Sequence, residues 1–286
     1  MTSSVTAPPT APTVLGRDSL IWQRTGDWRL LLVGGRSLVL QVAHPAVAAG
    51  VSQFSDYLED PWGRLQRTID LYSGVLFDGP GAPATAGRLR ALHTRIKGVD
   101  AHGNRFHALE PAAFHWVHAT LLDGIVVLLE RFGKPLRGDE IERTYAEMCE
   151  VGRLYGVRDR DMPPDWSSFR RYFDDFVRDE LEDNEVVRNV LASVARPPRP
   201  DRMPMPDGLW RAGVAPAARV ARLATIGTLP AALRERLGLT WTAAQERELR
   251  LHGELVRRAF PLLPARVRLV PAAYAARKRL RAGAIG

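Results

Sequence analysis

The sequence predicts an all-α protein built as one large domain. Three observations carry this expectation. Apolar residues recur at helical spacing in block after block, strand-like alternation is almost absent, and Pro and Gly punctuate the blocks. With 286 residues, 45% of them hydrophobic and 25% charged, the chain can bury a sizeable core.

The elements follow in order. Residues 1–15, MTSSVTAPPTAPTVL, lack a basic n-region and a continuous apolar stretch, so they read as a disordered leader and not as a signal peptide. The pair GG at 34–35 opens a helix that runs into LQVAHPAVAAG, residues 40–50. Pro45 inside a helix would cost about 3 kcal/mol, and the expected outcome is a bend that frees the Gln41 carbonyl. Asp60 and Pro61 form an N-cap and first turn for a helix through about Phe77. Others are expected from about Thr85 to Lys97, from Glu110–Pro111 to Gly133, from Asp139 to Tyr155, behind Asp165, and from Glu185 to Val194. The stretch 195–208 holds five prolines in fourteen residues and must be a loop. Helices around 209–224, 229–237, 242–259 and 271–282 then form a basic C-terminal extension of a single domain spanning 16–286.

Composition narrows the function. Cys149 is the single cysteine, which excludes an intramolecular disulfide and a cysteine-based zinc site. No run approaches the roughly 18 apolar residues of a membrane span; the nearest, IVVLLERFG, is cut short by Glu130 and Arg131. The expected location is the cytoplasm. From Arg196 onward 18 basic residues face 6 acidic ones, whereas residues 1–195 hold 22 against 26. Such a tail leaves open peripheral contact with an anionic membrane. Nucleic acid is not expected, because aromatic and basic residues do not interleave. Arginine outnumbers lysine 37 to 3, which reads as a coding bias.

Seven histidines are the candidates for chemistry: His44, His93, His102, His107, His115, His118 and His252. His93 in RLRALHTRIKG falls inside the arc of Ala86, Leu89, Leu92 and Ile96, so it should point at the core. A buried imidazole needs a partner for each ring nitrogen, and a metal or haem iron is one such partner. In PWGRLQRTIDLYSGVLF the core stripe is Leu65, Ile69, Tyr72 and Leu76. Arg64 and Thr68 border that stripe, with Arg67 further round. They could meet propionates, bound dioxygen or a polar substrate group, or be surface residues. His115 and His118 stand at i and i+3 on one helix, a chelating spacing. Glu-x-x-His, HExxH, GxSxG and a dinucleotide-binding glycine pattern are all absent.

In this order GGRSLVLQVAHPAVAAGV, the DPWGRLQRT helix, His93, WVHATL at 116–121 and PPDWSSFRRYF at 163–173 resemble one family. It shares the catalytic domain of rubber oxygenases (latex-clearing proteins) and MpaB-type oxygenases. RLGLTW at 236–241 and LLPARVRLVP extend the likeness to the C-terminal region.

The resemblance implies a globin-like helical core holding haem b, whose iron and bound dioxygen cleave a carbon–carbon double bond of an isoprenoid. It would make His93 the proximal ligand and put Arg64, Arg67 and Thr68 on a distal Arg-x-x-basic-Thr motif. Rubber oxygenases carry an iron-capping lysine at the place of Arg67, and an arginine is a poor iron ligand. They also use an acidic base on the preceding helix, where this chain offers His44. Ala43, Ala46, Ala48, Ala49 and Gly50 would form a low surface for a macrocycle or an apolar chain, with His44 facing the pocket or bonded to backbone as part of a kink. The expected function is a haem-dependent oxygenase acting on an apolar small molecule, with an isoprenoid as the family's example. The alternatives are a non-catalytic haem-binding sensor or carrier, and a non-haem metal enzyme using His115 and His118.

Overall fold

The computed structural model describes residues 14–282. Leu15, assigned to the leader, is buried in the main core, and residues 1–13 of that leader lie outside the described part. Among the described residues there are fourteen α-helices. They are α1 Leu20–Arg24, α2 Leu30–Val42, α3 Pro45–Phe54, α4 Pro61–Phe77, α5 Ala82–His93, α6 Pro111–Phe132 and α7 Glu140–Tyr155. After them come α8 Trp166–Asp179, α9 Glu185–Ala195, α10 Asp207–Thr228, α11 Ala231–Arg236, α12 Ala243–Ala259, α13 Ala265–Arg268 and α14 Pro271–Arg281. The all-α expectation stands.

Helix starts follow their caps. The carboxylates of Asp60 and Asp165 accept from the amides of Gly63 and Ser168, Asn184 does the same for Val187, and Thr242 forms a capping box with Gln245. One sheet was not expected. Lys97–Val99 (β1) pairs antiparallel with Arg105–His107 (β2), so the helix expected to reach Lys97 stops at His93. That early stop leaves Leu92 60% exposed and dissolves the apolar arc in which His93 was placed.

The centre is α6, whose mid-section is buried on nearly all sides. It is 22 residues long and, by length and composition, apolar enough to cross a membrane, although 72% of its apolar window is covered by the rest of the fold. The search for an unbroken apolar run missed this, because isolated polar residues such as Asp123 interrupt it. Helix α2 packs across α6 and against α10. Gly35 permits the second contact, since a Cβ there would lie 2.1 Å from the Thr225 hydroxyl. The glycine pair therefore does not open a helix; α2 begins at Leu30 and Gly35 is its point of closest approach to α10.

Asp123 sits in this centre, 2% exposed, between two arginines. Arg36 of α2 donates to it through Nε at 2.9 Å and through a second nitrogen, and also to the Thr228 carbonyl that ends α10. Arg170 of α8 donates to its other oxygen at 2.7 Å. Both guanidinium groups lie over the Phe173 ring. Three helices thus meet at one carboxylate, and Arg36 ties α10 to the same point.

The C-terminal helices pack onto the single domain as expected, and their last helix reaches its core. Val270, Ala273 and Ala276 are fully buried in the main core, and Asp27 bridges Leu269. The small side chains of α14 let its backbone sit against the first helices. Arginines also close helix ends from a distance. Arg29 and Arg257 donate to the Phe132 and Gly133 carbonyls that end α6, Arg236 to those of Val177 and Arg178 that end α8, and Arg279 to Phe77 at the end of α4. The arginine excess read as coding bias is in good part structural.

Removing the Asp123 carboxylate would leave Arg36 buried and uncompensated. Asp123→Ala should lower the unfolding free energy by about 3–5 kcal/mol. Arg170→Ala, at a position one-third exposed, should cost clearly less in the same urea titration.

Candidate functional site

The stretch at Pro45 is an elbow between two helices. α2 ends at Val42, His44 is the extended N-cap of α3, and Pro45 takes the first helical position, where its missing N–H costs nothing. The two axes meet at 104°. The Gln41 carbonyl is not freed, because the His44 N–H donates to it at 3.3 Å. The carbonyls released by the break find other partners. Val42 accepts from the Asn184 amide at 2.8 Å and Ala43 from the Glu182 N–H at 2.9 Å. One turn earlier, Leu40 accepts from the Trp116 indole at 2.9 Å, and the Gln41 amide donates to Thr120. The elbow is thereby clamped by α6 and by the approach to α9. Its small residues serve packing: Ala43, Ala48 and Ala49 are buried, and a Cβ on Gly50 would meet Ile96 and Phe106 beside the β-hairpin.

His44 is half-buried and lies flat on Phe176, ring centres 5.6 Å apart. Its Nδ1 is buried without a hydrogen-bond partner among the described residues. Burial draws its pKa below the ordinary imidazole value, against the opposing pull of Glu180. Phe176 also touches Tyr172, and Tyr172 lies 4.9 Å from His115. The hydroxyl of Tyr172 and Nδ1 of His118 are likewise buried and unpartnered among the described residues. His118 donates through Nε2 to the Met148 carbonyl at 2.8 Å. Burial brings the pKa of His115 down to about 4 and that of His118 to about 3, so both are neutral at pH 7. Two of these unpartnered atoms, His44 Nδ1 and the Tyr172 hydroxyl, lie beside Phe176, while His118 faces Tyr155.

His93 closes α5, half-buried, with Phe114 of α6 edge-on at 6.2 Å. Its Nδ1 donates to the Leu89 carbonyl at 2.8 Å, which fixes the tautomer and leaves the Nε2 lone pair available. His252 makes the same bond to Glu248, so the bond alone does not single out a ligand; the aromatic flank on α6 distinguishes His93. Arg64 is half-buried, donates through Nε to the Ser55 hydroxyl, and has no carboxylate in salt-bridge range among the described residues. Burial lowers its pKa. A desolvated cation of this kind suits an acidic ligand group.

The donor types are those a haem uses, an imidazole with a free Nε2 on His93 and a half-buried guanidinium on Arg64, but no described contact or hollow joins the two. Tyr72, on the inner side of α4, has its hydroxyl pKa raised by burial while its ring is only half covered.

Other expected residues stand apart. Arg67 is exposed and held by Asp56 and Asp60, so the surface pairs account for it and no contact links it to His93. Thr68 is exposed and donates to the Arg64 carbonyl. Among the described residues no hydrogen bond joins His93 to Arg64, Thr68 or His44, and no group of three His, Cys, Asp or Glu could hold a metal ion. The pair His115–His118 therefore lacks the further ligands that a chelate site requires. Two surface hollows of about 360 and 300 Å³ open elsewhere, beside Trp241 and beside Arg88, and none of these histidines borders them. Sequence reasoning passed over Tyr172 and Phe176. Both lie in the helix behind Asp165, but nothing in the spacing told which of its aromatics would meet His44.

The fold and this interior define a helical protein whose histidines lie against a packed aromatic block. Residues 22–258 match the family described as ER-bound oxygenase mpaB/B′/Rubber oxygenase, catalytic domain, and the chain belongs to that family. It is an oxygenase-type catalytic domain. Its curated relatives include "Uncharacterized protein Mb2261" of Mycobacterium bovis and "Uncharacterized protein Rv2237" of Mycobacterium tuberculosis. Each is 26% identical over 245 residues, covering 82% of this chain and 91% of the relative. No solved structure matches the chain.

The neutral histidines give the protein a pH signature. The unfolded chain takes up protons below about pH 6.5, whereas folded His115 and His118 resist until about 4 and 3. Their contribution is complete above pH 6.5 and is lost as the pH falls toward 4. The expected slope is about 1.4 kcal/mol per pH unit for each histidine. Unfolding titrations of wild type and His118→Gln should differ in slope by one proton across that window.

Proposed function

We propose that the chain is a haem-dependent oxygenase acting on an apolar small molecule, with isoprenoids as the substrate class suggested by the family. The observation that carries the haem reading is His93, whose Nδ1 is committed to Leu89 and whose Nε2 is left free at an aromatic flank of α6. His93 would hold the iron, and Arg64 would meet a carboxylate of the group. When bound, the haem supplies the centre at which dioxygen reacts.

The chain's own residues do the rest. The aromatic block of Trp116, Phe173 and Phe176 is closed to water and would form the apolar side of the site. His44, neutral at pH 7 because burial lowers its pKa, can accept a proton at its unpartnered Nδ1 and return it. Thr68 stays with this proposal through its bond to Arg64, which steadies the turn that carries the arginine.

His93→Ala should lose the Soret absorption of the purified protein, while His115→Ala keeps it. An unchanged spectrum in the His93 variant would overturn the ligand assignment. His44→Ala should keep haem content and lower oxygen consumption with an isoprenoid by roughly 10²–10⁴-fold. Haem binding without any oxygen uptake in the wild type would favour a sensor or carrier.

A further inference from the structure

The C-terminal helices carry a surface that neither the core nor the haem reading uses. Helix α12 packs inward through Leu249 and Gly253; a Cβ on Gly253 would lie 2.5 Å from the Arg131 carbonyl of α6. Leu251 and Leu255 point roughly the opposite way, about 160° round the helix, and are 73% and 63% exposed. The 3₁₀ turn Phe260–Leu262 continues the stripe to Leu262, 83% exposed, and the following segment adds Leu263 and Val267. Four large apolar side chains more than half exposed within seventeen residues are too many to be scattered singly.

Arginines frame the stripe. Arg247 is one turn before Leu251, and Arg266 adjoins Val267; both are exposed and have no carboxylate in salt-bridge range among the described residues. Residues 243–281 hold ten basic residues against three acidic ones. A second copy of the chain on this face would set arginine against arginine. An anionic bilayer satisfies both halves of the pattern, with leucines entering the boundary of the acyl chains and arginines meeting phosphates.

We propose that the face formed by α12, the following 3₁₀ turn and α13 seats the protein on an anionic membrane surface as a peripheral contact. This holds whether or not the haem reading does.

The test is co-flotation of the full chain with phosphatidylglycerol–phosphatidylcholine vesicles, against phosphatidylcholine alone, at low and high salt. The wild type should float with the anionic vesicles, and high salt should release it. Arg247→Ser and Arg266→Ser should each weaken binding about 5-fold. Leu251→Ser/Leu255→Ser/Leu262→Ser should weaken it about 10-fold or more, with an unchanged melting curve because all three side chains are exposed. Equal binding to both vesicle types, or none, would overturn the proposal. So would a wild-type dimer in sedimentation that the triple variant abolishes, which would make the face a contact between copies or with another protein.

Discussion

One carboxylate holds the arrangement that everything else needs. Asp123 stands in the middle of the most buried helix and would be intolerable there alone. Arg36 and Arg170 neutralise it, and in doing so they fix the heights of α2 and α8 against α6. Arg36 also donates to the last carbonyl of α10, so the C-terminal half is registered to the same point. An apolar contact could have slid by a methyl group. A two-sided ionic hydrogen-bond set in low dielectric cannot, and this is the case in which buried charge specifies geometry more than it adds stability.

The candidate site inherits that register. Trp116 lies two turns along α6 from Asp123, and its indole holds the Leu40 carbonyl just before α2 breaks. Phe173, which both arginines cover, packs tilted against Trp116, which in turn stacks on the Phe176 that lies under His44. The ionic centre and the candidate site are thus two ends of one rigid wall. Chemistry at a fixed centre is favoured by such a wall, because reacting groups must be held in a defined geometry.

Much of the helical frame was legible in the sequence, because capping is local. Asp60 and Asp165 announced their helices within four residues of chain. What failed was tertiary. Leu92 looked like core by spacing, yet the chain turns into a hairpin directly after His93 and leaves it in water. Pro45 looked like a strained kink, yet a break supplied with Asn184 and Glu182 as acceptors' partners removes the strain. Nothing local pairs Arg36 with Asp123 across 87 residues, or tells that Tyr172 would sit beside His115. The histidines were visible as a set; which of them share a wall depended on α8, whose approach no motif encodes.

The arginines that close helix ends have a consequence for how this protein meets denaturants. Solvent guanidinium is the arginine head group cut free of its chain. It can occupy the carbonyls at the ends of α4, α6 and α8 as Arg279, Arg29 and Arg236 do, and its salt screens the exposed surface ion pairs, though the buried Asp123 centre much less. Urea also donates to carbonyls but carries no charge. The usual relation, in which guanidinium acts about twice as strongly as urea, should therefore be exceeded. The fold is bound together by the same ion that dissolves it.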